Sequence, residues 1–267
     1  MLPRTPNPQS LSRNGCRPPT SGRFIFLFSL YSQPKIIDMA LILSLETSTS
    51  VCSVAIAQDG RLIADKVSFE NKSHATQLTV FAEQLLKENS IEPEKLDAVA
   101  VSQGPGSYTG LRIGVSTAKG ICYALGCKLL AIDTLKAMAI MADQKLTEKP
   151  DIYCSMIDAR RMEVYTAMFD AQLQRISETQ ALVVESDSFN ELLKTKKIAF
   201  YGDGSDKCRQ VIDSPNALFV EGVCPLARNM AGLAEEAYAA AIFKDVAYFE
   251  PFYLKDFVAT VAKNKVL

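Results

Sequence analysis

The sequence predicts an α/β fold arranged as two similar lobes, on three observations. An apolar run at residues 96–101 ends in the glycine-rich segment Gln103-Gly104-Pro105-Gly106-Ser107-Tyr108-Thr109-Gly110-Leu111-Arg112-Ile113-Gly114 and restarts as a helical pattern over residues 111–125. An order of three strands, helix, strand, helix runs to Lys149-Pro150 and then returns. The chain has 267 residues, 48% hydrophobic and 22% charged, which is core material for two ordinary domains. The division expected is a leader over residues 1–38, an N-terminal lobe over 39–148 and a C-terminal lobe over 149–267.

Residues 40–45 read as a buried strand, followed by the polar turn Glu46-Thr47-Ser48-Thr49-Ser50. Residues 51–57 and 61–67 are strands joined at Asp59-Gly60, a strong hairpin signal. A helix capped by Ser73 carries the apolar stripe Leu78, Phe81, Leu85 and Leu86. The strand at 96–101, the glycine loop and its helix come next, then a strand at 128–132 and a helix capped by Thr134. In the second half, residues 152–157, 163–169, 181–184 and 198–201 are strands. Asp158-Ala159-Arg160-Arg161 is a turn, 188–193 a short helix, and Gly202-Asp203-Gly204 ends the last strand. A single Ala-rich helix is expected over 225–243.

Residues 1–38 hold five prolines and carry Arg4, Arg13, Arg17, Arg23 and Lys35 against Asp38 alone. They read as a leader outside the fold, with Met39 as the natural start; no small-x-small cleavage site comes after the apolar stretch at 24–30. Without them the net charge falls from −1 to about −5, 24 Lys and Arg against 29 Asp and Glu. Proteins that grip nucleic acid alone carry a basic patch, so direct tRNA or DNA binding is disfavoured. No apolar run reaches the ~20 residues of a membrane helix. The seven cysteines form no C-x-x-C pair, which fits a reducing cytoplasm better than a disulfide framework or zinc site.

The glycine loop presents backbone N–H groups at a helix N-terminus, suited either to a phosphate or to a tightly packed neighbour. It lacks the Lys-Ser/Thr of a P-loop, and its third glycine comes too late for a dinucleotide fingerprint. Glu46, Thr47 and Ser48 stand either as a plain polar turn or as metal- and phosphate-facing groups, with Gly104 and Gly106 as the matching loop positions. His74 is the only histidine, so a site with paired imidazoles cannot be built; at a helix start it reads as a surface residue. Gly110, Gly114 and Ala118 recur at one helical spacing, and Ser116, Gly120 and Ala124 on an adjacent strip. Such strips permit close approach, either of the chain's own sheet or of a partner helix.

Four segments together carry a resemblance: Leu43-Ser44-Leu45-Glu46-Thr47-Ser48-Thr49, His74-Ala75-Thr76-Gln77, the glycine segment from Ser102 to Gly114, and Met156-Ile157-Asp158-Ala159-Arg160 with Glu163-Val164-Tyr165. Over residues 39 to about 254 the chain resembles the bacterial TsaB (YeaZ) family, accessory proteins of tRNA threonylcarbamoyladenosine biosynthesis. The resemblance implies a two-lobed actin-like ATPase (ribonuclease-H-like) fold, each lobe a mixed sheet flanked by helices. It implies a cytoplasmic scaffold for the catalytic paralogue TsaD, which modifies adenosine 37 of tRNA, with the ATPase TsaE joining. It further implies a homodimer when alone, tRNA met only through the complex, and no membrane. No catalytic and no metal-binding residue is assigned, and ATP or ADP with Mg²⁺ enters at the level of the complex. The nucleotide-facing candidates are Glu46, Thr47, Ser48, Gly104 and Gly106. The partner surface lies on residues 73–86 and 107–125, with His74, Leu78, Gly110, Gly114, Thr117 and Ala118. The competing reading is a stand-alone ATP-dependent phosphotransferase of the same fold, with Glu46 as the first acid and Asp158 or Asp203 as the second. A metallopeptidase is opposed by the single histidine.

Overall fold

A computed structural model of the chain describes residues 40–70 and 73–255; the leader expected over 1–38 lies outside them. The first sheet comprises β1 (Leu41–Glu46), β2 (Cys52–Gln58), β3 (Arg61–Ser68), β4 (Ala98–Gly104) and β5 (Lys128–Asp133) in the order β3-β2-β1-β4-β5. β1 to β3 form an antiparallel meander turned at Asp59-Gly60, while β4 and β5 run parallel to β1. Parallel strands covered on both faces read as continuous apolar runs, which is why β1 and β4 lack polar alternation. On one face Leu43, Leu45, Val99 and Val101 pack on α1 (His74–Glu88) and α2 (Tyr108–Leu125) through Leu78, Leu85, Val115 and Cys122. On the other face Ile42, Ala98, Ala100 and Leu130 meet Met230 and Ala234. Ser44 and Glu46 share the side of Ile42, because strand side chains alternate.

The second sheet comprises β6 (Ile152–Asp158), β7 (Glu163–Asp170), β8 (Gln180–Val183), β9 (Ile198–Tyr201) and β10 (Ala217–Val220). Its order, β10-β9-β6-β7-β8, is that of the first sheet with each strand replaced by its counterpart. β6 to β8 are again an antiparallel meander, with β9 and β10 parallel to β6. The helices differ. α4 (Asn190–Leu193) and α5 (Ser205–Cys208) are single turns where the first lobe has full helices. β10 and α5 were not expected from the sequence: α5 is too short for a helical period to register, and the short run of β10 is half-exposed.

Packing crosses the chain midpoint in both directions. α3 (Thr134–Lys145) buries Leu135, Met138 and Ala142 with Tyr153 and Tyr201 of the second sheet. α6 (Ala231–Ala239) returns to cover the first sheet. The helix expected over 225–243 is shorter: a 3₁₀ turn at Ala227–Met230 precedes α6, and the Ala227 N–H donates to Ser53 Oγ at 2.9 Å. α3 is capped by Asp133, whose carboxylate accepts from Lys136 N, with Thr134 as first helical residue. α2 begins at Tyr108, capped by Ser107 Oγ accepting from Gly110 N, and ends at Gly126 in the left-handed region (φ 69°).

Candidate functional site: the junction of the first turn and the glycine loop

The turn after β1 and the glycine loop after β4 lie against each other because β1 and β4 are adjacent parallel strands that end together. Glu46 is fully buried, with Oε1 accepting from Ser48 N at 2.6 Å; among the described residues Oε2 has no hydrogen-bond partner. Burial pushes its carboxyl pKa up; the Ser48 N–H bond and the nearby polar groups of Ser48, Ser102 and Thr47 offset this only in part. Thr47 Oγ1 donates to Gly110 O at 2.8 Å, and Ser107 N donates to Ser48 O at 2.6 Å. Turn and helix start are therefore laced by their own polar groups.

The glycines make that lacing possible. A Cβ on Gly106 would stand 2.3 Å from Ser48 O, one on Gly110 2.1 Å from Thr47 O, and one on Gly114 2.3 Å from Thr47 Oγ1. Gly104, at φ 109°, lies under the C-terminal segment, where Phe252 N donates to Gln103 O at 2.7 Å. Gly104 N donates to Thr134 Oγ1 at 3.2 Å. The N–H groups of Gly104, Ser107 and Gly110 are thus engaged within the chain. The five nucleotide-facing candidates Glu46, Thr47, Ser48, Gly104 and Gly106 are brought together at this junction, with the Ser48 carbonyl seated against the loop at Gly106 and Ser107.

The second pair of acids sits at the matching turn of the other lobe. Asp158 is exposed and ion-paired with Lys207, and its N–H donates to Asp203 Oδ1 at 3.0 Å. Burial and the Asp158 charge push the Asp203 carboxyl up. Among the described residues no group of three His, Cys, Asp or Glu side chains is placed to hold a metal ion.

The small-residue strips on α2 divide cleanly. Gly110, Gly114 and Ala118 face inward onto the Thr47 turn and the sheet, and Leu78 lies in the same core. That corrects their expected role as a partner face: the turn needs the space that the missing side chains leave. Thr117 is half-buried. Ser116, Gly120 and Ala124 are exposed, together with Arg112 and with Tyr123 at 86%. A Cβ on Gly120 would meet nothing within 4 Å. His74, read from sequence as a surface residue, is 8% exposed, and its Nε2 has no hydrogen-bond partner among the described residues. Sequence reasoning missed the C-terminal segment at the loop, where Tyr253 meets Tyr108 (ring centroids 4.9 Å apart) and Lys119 Nζ donates to Ala247 O and Phe249 O. Proline and aromatic residues at 248–253 were the available signal.

Two lobes of one sheet topology, packed together through α3, define a two-lobed actin-like ATPase (ribonuclease-H-like) fold. The sequence model of the TsaD family, tRNA N6-adenosine threonylcarbamoyltransferase, matches residues 68–267, and the chain belongs to this family, on its TsaB (YeaZ) branch. It is 28% identical over 227 residues to the tRNA threonylcarbamoyladenosine biosynthesis protein TsaB of Escherichia coli, covering 82% of this chain and 96% of that one. To the TsaB of Bacillus subtilis it is 27% identical over 177 residues, 64% of this chain and 75% of the relative. The solved structure of YeaZ from Pseudomonas aeruginosa superposes with a TM-score of 0.72 at 26% identity, covering 81% of this chain and all of that one.

Proposed function

We propose that the chain is a non-catalytic scaffold subunit of the cytoplasmic machinery that makes threonylcarbamoyladenosine at position 37 of tRNA. It seats a TsaD-like catalytic paralogue, with a TsaE-like ATPase joining, and pairs with itself when alone. The lobes are 39–148 and 149–267, with α3 and α6 exchanged across that division. One observation carries the reading: the Glu46-Thr47-Ser48 turn is laced to the glycine loop, with Thr47 Oγ1 donating to Gly110 O, Ser107 N donating to Ser48 O, and three glycines holding the turn against the helix start. A phosphotransferase needs that place open, so the competing reading is disfavoured. The charge of about −5 outside the leader agrees with tRNA being met through the complex. The exposed strip Ser116, Gly120 and Ala124 beside Tyr123 supplies a flat face with an aromatic anchor, which suits close helix packing by a partner.

The test is co-purification of the tagged full chain from a lysate of its own source. Recovery of a histidine-bearing paralogue of similar fold, together with negligible ATP hydrolysis by the isolated chain, is the expected outcome. ATP turnover that disappears in Glu46→Ala, with no paralogue recovered, would establish the enzyme reading instead.

A further inference from the structure

The scaffold role leaves idle a face that runs from the start of α2 to the turn between β6 and β7. Residues 244–255 cross it as a strap. Phe252 N donates to Gln103 O, and the Tyr253 ring meets that of Tyr108, whose hydroxyl accepts from the Arg112 guanidinium at 2.7 Å. At its end the strap reaches the second lobe, where Lys255 pairs with Glu163 and lies 5.9 Å from the centre of the Tyr165 ring. Glu163 O accepts from Lys207 Nζ at 2.7 Å, and Lys207 pairs with Asp158. Cations and aromatic rings thus share one path, with Tyr248, Phe252 and Tyr253 of the strap exposed along it. At the far end Arg160 and Arg161 form the tip of the turn, both exposed and both left-handed, at φ 74° and 52°. Tight turns normally hold Gly or Asn at such positions, because a Cβ is disfavoured there. Two arginines run against that preference, which points to a use for their charges. Among the described residues neither guanidinium has a hydrogen-bond or ion-pair partner. The acids nearby are already engaged: Asp158 by Lys207, Glu163 by Lys255, and Asp203 by the Asp158 N–H.

We propose that this face binds a single-stranded loop of RNA, with Arg160 and Arg161 on phosphates and the exposed rings of the strap stacked on unpaired bases; that the RNA is the tRNA of the complex rests on the scaffold reading. A guanidinium stays charged at physiological pH and grips phosphate with two parallel hydrogen bonds. An aromatic face stacks any base, and unpaired loop bases are the ones free to stack. An acidic peptide would answer the two charges but leave the rings idle. The face adjoins the exposed side of α2 at Arg112, so RNA carried by a partner seated there would lie across the strap toward the turn. Charge composition does not reveal this face, because its groups come from residues 108–112, 160–165, 207 and 248–255 of an acidic chain. Alone it should hold RNA only in the weak range, roughly 10⁻⁴ to 10⁻⁶ M at physiological salt.

The test gives the tip the residues that its backbone prefers. Arg160→Asn with Arg161→Gly removes both charges and relieves the turn, so the variant keeps the hairpin. The full chain is titrated against a fluorescent RNA stem-loop at several salt concentrations. The variant should bind about tenfold more weakly than the parent. Its log–log salt slope should be shallower by about 1.4, which is two phosphate contacts at about 0.7 each. Lys87→Ala with Lys95→Ala removes the same charge from exposed positions at the opposite end of the first sheet, and should bind as the parent does. No binding by the parent at low salt, an unchanged slope in the Asn-Gly variant, or an equal loss in the lysine control would each overturn the proposal. So would a polyglutamate peptide that displaces the labelled RNA as readily as unlabelled RNA does, since the partner would then be an acidic peptide. Co-purification reports separately: a recovered paralogue with an unchanged slope keeps the scaffold reading and overturns this one. The expected slope change without a paralogue keeps the RNA face and overturns the scaffold reading.

Discussion

The turn after β1 and the turn after β6 occupy the same place in two copies of one sheet topology, yet they have opposite environments. In the first lobe the turn is sealed: Glu46, Thr47 and Ser48 are fully buried, three glycines let α2 press on them, and among the described residues no cation is paired with the Glu46 carboxyl. In the second lobe the turn is open: Asp158 is exposed and answered by Lys207. Glycines are needed there too, since a Cβ on Gly202, at φ 105°, would lie 2.1 Å from Met156 O. The lobes part at the helix behind those glycines. α2 runs for 18 residues and α5 for 4. A long helix can cover a core with one face and present the other to solvent; a single turn can do neither. The first lobe is therefore built to display a helix, and the sealed turn is its footing.

The largest effect expected is at that footing. Gly110→Leu would drive a side chain into the Thr47 backbone carbonyl, 2.1 Å from the new Cβ. Overpacking against immobile backbone should cost about 3 kcal/mol or more, lowering the melting temperature by on the order of 10 °C. Gly120→Ala on the open side of the same helix should instead stabilise by roughly 0.5–1 kcal/mol. A melting curve for Gly110→Leu that overlays the parent would break the comparison, because the footing would then be slack.

Next in size is a binding effect. Tyr123→Ala should leave circular dichroism unchanged but weaken capture of the TsaD-like partner by about 2 kcal/mol, roughly thirtyfold, if the displayed face is the docking face. Undiminished capture in a titrated pull-down would move the interface off this end of α2.

A smaller effect distinguishes the buried acid from the paired one. The Glu46 pKa is raised by burial, so the folded chain holds this proton to higher pH than the unfolded chain does. Stability from this group accordingly falls as pH rises from the ordinary carboxylate value of 4.5 through the folded-state value, and then levels off. Glu46→Gln keeps the acceptor for Ser48 N and removes the titration. Its denaturant midpoint should match the parent's below pH ~4.3 and exceed it above, by a margin that grows up to the folded-state value and then levels off. A gap that is constant with pH would show that the carboxylate is not the cause. The smallest effect is at the open turn, where Lys207→Ala should cost less than about 1 kcal/mol, as exposed ion pairs do; chemical denaturation measures it.

Much of this was legible in the sequence. Asp59-Gly60 fixed a hairpin, the apolar runs marked β1 and β4 as doubly covered strands, and the glycine segment announced a strand-to-helix turn with a close neighbour. The neighbour could not be read, because close approach to a phosphate, to a carbonyl or to another helix asks for the same missing Cβ. The inward face of α2 was equally ambiguous. Both of its strips are made of Gly, Ser and Ala, so hydrophobic contrast, the usual guide to a buried face, is nearly absent between them.

Local patterning by itself determined every strand but β10, the hairpin, the paired lobes and the exclusion of a site with two histidines, because each depends on neighbours in sequence or on composition alone. Only the tertiary structure decided that Glu46 is sealed, that Gly114 faces in while Gly120 faces out, and that α3 and α6 cross between sheets. Each of these turns on which distant segment occupies a given space, and side-chain volume is contested by the whole chain at once: Ser48 and Thr47 hold positions at α2 that the glycines vacate some sixty residues later.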